Sequence, residues 1–66
     1  MNLAEALPQQ QARCRQILEH TLEIGPPGLF LATMLRASLA EAERAAANGD
    51  VVAMVRAYQD LEGYKE

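Results

Sequence analysis

The 66-residue sequence contains one cysteine, one histidine and no tryptophan. Because a single thiol has no partner within the chain, Cys14 forms no intramolecular disulfide. His20 and Cys14 together fall short of the four nitrogen or sulfur ligands of a structural zinc site, so we predict no metal and no other cofactor. A chain of this size buries only about 60% of the surface that it exposes when unfolded. Without a covalent or metal cross-link, we expect oligomerisation to supply the missing stability.

Long apolar runs and an excess of positive charge are also missing. The longest apolar run, residues 28–35, is much shorter than the roughly 20 residues of a membrane-spanning helix. The N-terminal residues lack the basic and apolar regions of a signal peptide, so we predict a cytoplasmic protein with no membrane segment. Six Lys and Arg against nine Asp and Glu give a net charge of −3. This is the wrong sign for a domain that binds through phosphate groups, and nucleic acid is a disfavoured partner.

Three prolines and four glycines indicate where helices begin and end. Pro8 suits the first turn of a helix, where its missing N–H costs no hydrogen bond. The residues before Pro8 are therefore predicted to form a separate turn or a kinked lead-in. The Gly-Pro-Pro-Gly joint that starts at Gly25 ends the first helix, with Gly25 in the left-handed position after its last turn. Gly49 and Asp50 form a second, very short joint in which Asp50 caps the next helix.

The pattern of apolar residues predicts helices and no strands. No alternating β-branched run is present, and no repeat of solenoid length fits the chain. Twelve alanines favour helix. We therefore predict one all-α domain over residues 1–66, a three-helix bundle whose helices span about 8–24, 27–47 and 50–63.

Helices one and three each have a single apolar face, as is typical of helices that pack on one core. The predicted core faces are Leu7, Cys14, Ile17, Leu18, Thr21 and Leu22 in helix one, and Val51, Met54, Val55, Tyr58 and Leu61 in helix three.

Helix two has a wider apolar arc, about 180° against the roughly 100° that a surface helix needs. Its two edges are Phe30, Met34 and Ala45 on one side, and Leu31, Leu35, Leu39, Ala42 and Ala46 on the other. We expect the second edge to pack against helices one and three, although the pattern also permits the reverse assignment. The width of the arc predicts that helix two lies in the middle of the structure.

The candidate interface residues are Leu29, Phe30 and Met34. Phe30 and Met34 lie on the edge that the core does not use, and Leu29 lies outside the arc at the start of the helix. A self-complementary apolar patch favours a twofold dimer, so we predict that a second copy of the chain covers these residues. The alternative is a monomer in which helices one and three cover the whole arc.

No set of residues indicates an enzyme. Glu19, His20 and Glu23 share a helix in the manner of metal ligands, but a di-iron bundle requires a second such motif, so a solvated polar face is the simpler interpretation. Cys14 lies within the apolar face, about 120° around the helix from His20, and is predicted to be a buried core residue rather than a nucleophile. The uncapped start of helix two, predicted at Pro27 and Gly28, leaves main-chain N–H groups free and is a candidate anion site, although water satisfies most helix ends.

Arg13, Arg15 and Arg36 are the best case for nucleic-acid binding. Arg13 and Arg15, however, share their face with Glu19 and Glu23, which repel a phosphate backbone. The proline-rich joint also differs from the short turn of a helix-turn-helix motif. A DNA-associated transcriptional regulator is therefore the alternative function and not the leading one.

Three segments and one residue carry a resemblance to known proteins: "MNLAEALPQQQAR", "EIGPPGLF", "GDVVAMVRAYQDLE" and Met34. Together they resemble short uncharacterised prophage-encoded helical proteins of Gram-negative bacteria. The resemblance spans nearly the whole chain and implies an all-helical fold and a phage or prophage setting, with no catalytic residues. The leading prediction is a small homo-oligomeric interaction protein, with regulation as a candidate role, that presents a helical surface to a host or phage protein.

Overall fold

The computed structural model describes residues 2–65, which form three α-helices packed against one another. They are α1 (Leu3–Ile24), α2 (Leu29–Asn48) and α3 (Val51–Glu62), and a 3₁₀ turn at Pro26–Gly28 joins α1 to α2. No strand occurs within the described residues. The prediction of an all-α fold with three helices is therefore confirmed.

The start of α1 differs from the prediction, because the helix begins at Leu3 and continues through Pro8. The side-chain oxygen of Asn2 accepts a hydrogen bond of 3.0 Å from the main-chain N–H of Ala4 and caps the helix. Pro8 removes the N–H that would bond to the carbonyl of Ala4, but Ala4 is exposed, so water can satisfy that carbonyl. Leu7 is fully buried, and its packing offsets the lost bond. The prediction of a separate turn before Pro8 is wrong.

The joint between α1 and α2 depends on two glycines that act differently. Gly25 has φ 84° and ψ −144°, so its φ is positive as predicted while its ψ is extended. The extended ψ suits the following Pro26, whose ring disfavours helical conformations of the residue before it. Gly28 is buried, and a Cβ atom at this position would lie 2.5 Å from the main-chain oxygen of Thr21. This close approach fixes the 3₁₀ turn, and α2 starts at Leu29, two residues later than predicted.

The joint between α2 and α3 agrees with the prediction. Gly49 is left-handed, with φ 64° and ψ 24°. Its N–H donates to the carbonyl of Ala46, and the N–H of Asp50 donates to the carbonyl of Ala45, both at 3.2 Å. These two bonds form a Schellman motif. The carboxylate of Asp50 accepts a hydrogen bond of 3.1 Å from the N–H of Ala53, which confirms Asp50 as the cap of α3.

The core lies between α1, α2 and α3 and is rich in leucine and alanine. Its buried members are Leu7, Cys14, Ile17, Leu35, Leu39, Ala42, Ala57 and Leu61. Leu35, Leu39 and Ala42 are thus on the core side of α2, as expected. Leu31 and Ala46, which the sequence pattern places on the same edge, are exposed. Ala45, which the pattern places on the other edge, is buried.

The core face of α3 is centred on Ala57 and Leu61 rather than on the valines. Val51 and Val55 are exposed, contrary to the prediction. On α1, Leu22 is likewise exposed although the pattern placed it in the core. The structure therefore has more exposed apolar surface than the sequence pattern predicts.

Candidate interaction surface

The helices of the bundle have unequal lengths, and this inequality creates the candidate site. α1 has 22 residues and α2 has 20, whereas α3 has 12. At a rise of 1.5 Å per residue, α3 is about 18 Å long and reaches only part of the way along the α1–α2 hairpin. The far end of the hairpin, where α1 ends and α2 begins, therefore extends beyond α3.

The end of α3 is located by its contacts with the middle of α1. The guanidinium group of Arg13 donates hydrogen bonds of 2.8 Å to the main-chain carbonyls of Leu61 and Tyr64. The thiol of Cys14 also contacts the carbonyl of Leu61, at 3.4 Å. On α2, the hydroxyl of Ser38 lies 2.9 Å from the hydroxyl of Tyr64. The positions of Arg13 and Ser38 thus mark the level at which the third helix stops.

Beyond this level, a groove of about 300 Å³ lies between α1 and α2. The residues that line it are Ile17, His20, Thr21, Ile24, Leu31 and Lys65. On α1, Ile17 follows Arg13 by four residues, so it lies on the same helical face one turn further along. The groove therefore continues the track that α3 follows over the first part of the hairpin. It is the position that a longer third helix would occupy.

An exposed apolar row on α2 borders the groove. Phe30, Met34 and Ser38 recur at a spacing of four and share one face of the helix. Since Ser38 contacts the end of α3, Phe30 and Met34 continue the same face beyond that end. The side chain of Phe30 is 78% exposed and that of Met34 is 44% exposed, while their neighbour Leu31 lines the groove itself. An apolar row of this kind beside a groove is typical of protein–protein contact sites.

The structure places the three predicted interface residues on two sides of α2. Leu29, Phe30 and Met34 are all exposed in the single chain, which a contact with a second chain requires. Phe30 and Met34 lie together, but Leu29 is two residues from Leu31 and therefore about 160° around the helix from the groove. A surface centred on the groove includes Phe30 and Met34 and places Leu29 outside it. The contact with a second copy stays a prediction.

Cys14 is fully buried in the core, as the sequence predicts. Burial raises the pKa of its thiol above the ordinary value of 9.0; the nearby Arg13 charge opposes this shift and the Asp60 carboxylate adds to it. A thiol that is buried and kept protonated is a poor nucleophile. The arrangement favours the structural interpretation of Cys14 over the catalytic one.

The start of α2 differs from the expected anion site. The N–H of Gly28 donates to the carbonyl of Gly25 at 2.9 Å, and the N–H of Leu29 donates to the carbonyl of Pro26. The 3₁₀ turn thus provides main-chain acceptors for two of the groups that were expected to hold an anion. Among residues 2–65, no group of three or more His, Cys, Asp or Glu side chains is placed to hold a metal ion.

Two of the arginines have partners within the chain. Arg13, assigned from the sequence to a polar face, is engaged at the end of α3. Arg44 forms an ion pair with Glu41, one turn away on the exposed face of α2. The role of Arg13 could not be read from the sequence, because its acceptors lie 48 and 51 residues further along the chain. The groove was also missed, since it depends on where α3 ends in space.

Comparisons of this chain with known protein families, with curated proteins and with solved structures find no match. Between residues 2 and 65, no helix combines the length and the hydropathy that crossing a membrane requires.

Proposed function

We propose that this protein is a small homo-oligomeric interaction protein of the cytoplasm. It forms a dimer and acts by presenting a helical surface to another protein. The proposal rests on one observation above all, the 78% exposure of Phe30 beside an apolar groove. Covering a phenylalanine in this setting with a partner lowers the free energy of the system. Its phage or prophage setting, its regulatory role and its host or phage partner are the parts of the proposal that rest on the sequence resemblance.

The surface area and shape of the chain support association. The accessible surface is 4494 Å², against about 4,100 Å² expected for a compact monomer of this mass. The molecule is elongated, with extents of 35 × 18 × 15 Å. A standard interface buries roughly 800 Å² on each partner, which is under a fifth of the available surface. A dimer of standard size at this end of the hairpin would therefore leave most of the surface for another protein.

The alternative function, a DNA-associated regulator, has less support. Arg13 and Arg44 each have a partner within the chain, so they are less available to phosphate groups. A titration with duplex DNA at several salt concentrations separates the two functions, because phosphate contacts make the affinity fall steeply as salt rises.

The proposal is tested by the mass of two charge variants measured by light scattering. Phe30→Glu places a carboxylate within the proposed contact and is expected to give a folded monomer, since a buried unpaired charge is strongly unfavourable. Val52→Glu introduces the same charge at another exposed apolar position, at the start of α3, and is expected to remain a dimer. Circular dichroism verifies that both variants are helical. A Phe30→Glu variant that stays dimeric would contradict the proposed surface.

A further inference from the structure

We infer that the groove beyond the end of α3 is the receptor for Phe30 of a second copy, so that the two chains exchange phenylalanine side chains. The inference rests on the proposed dimer and specifies how it is built. Each chain supplies a protruding side chain, Phe30, and a recess lined by Ile17, Ile24 and Leu31. The occupant of the recess is therefore a second copy of this chain rather than an unrelated peptide.

The size and chemistry of the groove fit an aromatic ring. Its volume of about 300 Å³ is at the lower limit of small-ligand pockets, which suits one large side chain better than a whole ligand. Two isoleucines and a leucine supply apolar walls. Of the described residues that line the groove, none is a carboxylate, and the polar ones include His20 and Lys65. A cationic side chain at the rim of an aromatic site is favourable, because the face of the ring is electron-rich.

The relative position of the ring and the recess suits twofold symmetry. Phe30 and the groove are at the same end of the hairpin, and Phe30 directly precedes Leu31, which lines the groove. In a twofold contact, residue i of one copy meets residue j of the other, and j meets i. The twofold axis would lie parallel to α2, at the surface between Phe30 and the groove. It brings the ring of each copy over the groove of its partner. Both rings are then buried by one self-complementary contact.

The composition of the chain allows a direct test by NMR. Phe30 is the one phenylalanine in the sequence, and Ile17 and Ile24 are the two isoleucines, both of which line the groove. One batch of the protein carries protonated phenylalanine in a deuterated background. A second batch carries protonated ¹³C-labelled isoleucine methyl groups and is otherwise deuterated, its phenylalanine included. The two are mixed so that dimers containing one copy of each form. Nuclear Overhauser cross-peaks between the ring and the isoleucine methyl groups then arise only between copies.

We expect these cross-peaks in a sample that light scattering shows to be dimeric. A dimer without them overturns the exchange of Phe30 and leaves the proposed function standing, because another surface would then form the contact. A monomer at the concentration of the experiment overturns both. A chain that carries both labels, diluted into fully deuterated copies, serves as the control for cross-peaks within one copy.

A pair of tryptophan variants provides an independent test. Leu31→Trp fills the groove from within its own chain and is expected to weaken dimerisation by about tenfold or more, since the ring of the partner loses its site. Val52→Trp adds the same side chain at an exposed position on α3 and is expected to leave the dimer dissociation constant unchanged. Equal affinities for the two variants would overturn the inference.

Discussion

The guanidinium group of Arg13, in the middle of α1, donates a hydrogen bond of 2.8 Å to the main-chain carbonyl of Leu61 at the end of α3. A second bond of the same length joins Arg13 to the carbonyl of Tyr64. The last turn of α3 contains no basic residue of its own. Arg13 therefore supplies from another helix the positive charge that a helix C-terminus favours, and it fixes where α3 ends on the hairpin.

Replacing Arg13 with methionine is expected to lower the free energy of unfolding by about 1–3 kcal/mol, because two carbonyls lose a charged donor. Urea denaturation measures this change. The matched control is Arg15→Met, which removes the same charge from an exposed position on α1. If both variants unfold at the same urea concentration, Arg13 does not stabilise the end of α3.

Gly28→Ala is expected to be strongly destabilising. The added methyl carbon would lie 2.5 Å from the main-chain oxygen of Thr21 and 2.9 Å from its Cγ2 atom, so the α1–α2 joint must shift. Overpacking of this kind costs about 1–3 kcal/mol. The comparison is Gly63→Ala, where φ is −71° and an added Cβ atom would lie 3.4 Å from the main-chain oxygen of Asp60. A thermal midpoint for Gly28→Ala at or above that of Gly63→Ala would show that the close approach of Gly28 to Thr21 does not make a side chain at this position destabilising.

The cap of α3 provides a third prediction. Asp50→Ala removes the acceptor for the N–H of Ala53 and is expected to lower the free energy of unfolding by about 0.5–2 kcal/mol. The control, Glu43→Ala, removes one negative charge from an exposed position on α2. Thermal unfolding at neutral pH should show a lower midpoint for Asp50→Ala alone, and equal midpoints would contradict the cap.

Local features of the fold were predictable from the sequence, and long-range ones were not. Gly49 and Asp50 were assigned correctly because a Schellman motif and an N-cap depend on a few neighbouring residues. The start of α1 was misplaced, since the packing of Leu7 outweighs the cost of Pro8, and packing cannot be read from the order of residues. Leu31 was assigned to the core because it shares the apolar arc of α2.

The candidate site shows the same division. The exposure of Phe30 and Met34 follows from the width of the arc, which the sequence displays. The groove beside them exists because α3 stops at the level of Arg13, and no local pattern indicates that level. Phe30 lies beside the groove, whereas Leu29 lies about 160° around α2 from it, and this contrast also became visible only with the position of α3.

The buried thiol of Cys14 is expected to make the protein less stable at alkaline pH. Burial raises its pKa in the folded chain above the ordinary value of 9.0. Below that value the thiol is protonated in both states and has no effect on the pH dependence. Above it, the unfolded chain releases the proton first, so the free energy of unfolding falls by up to about 1.4 kcal/mol per pH unit until the folded thiol also ionises.

The matched comparison for this effect is Cys14→Ala, measured by urea denaturation from neutral pH to above pH 9.0. The parent chain is expected to lose stability more steeply than the variant in the alkaline range, whatever the other groups contribute to both. Parallel curves would mean that the thiol ionises equally easily in the folded and unfolded chains.

The most direct test of the account is sedimentation equilibrium of the unmodified chain from low to high micromolar concentration. A dimer that buries Phe30 predicts a mass that rises with concentration toward twice the 7.2 kDa of one chain. A constant mass of 7.2 kDa over the whole range would contradict it, because the exposed row beside the groove would then have no second copy to cover it.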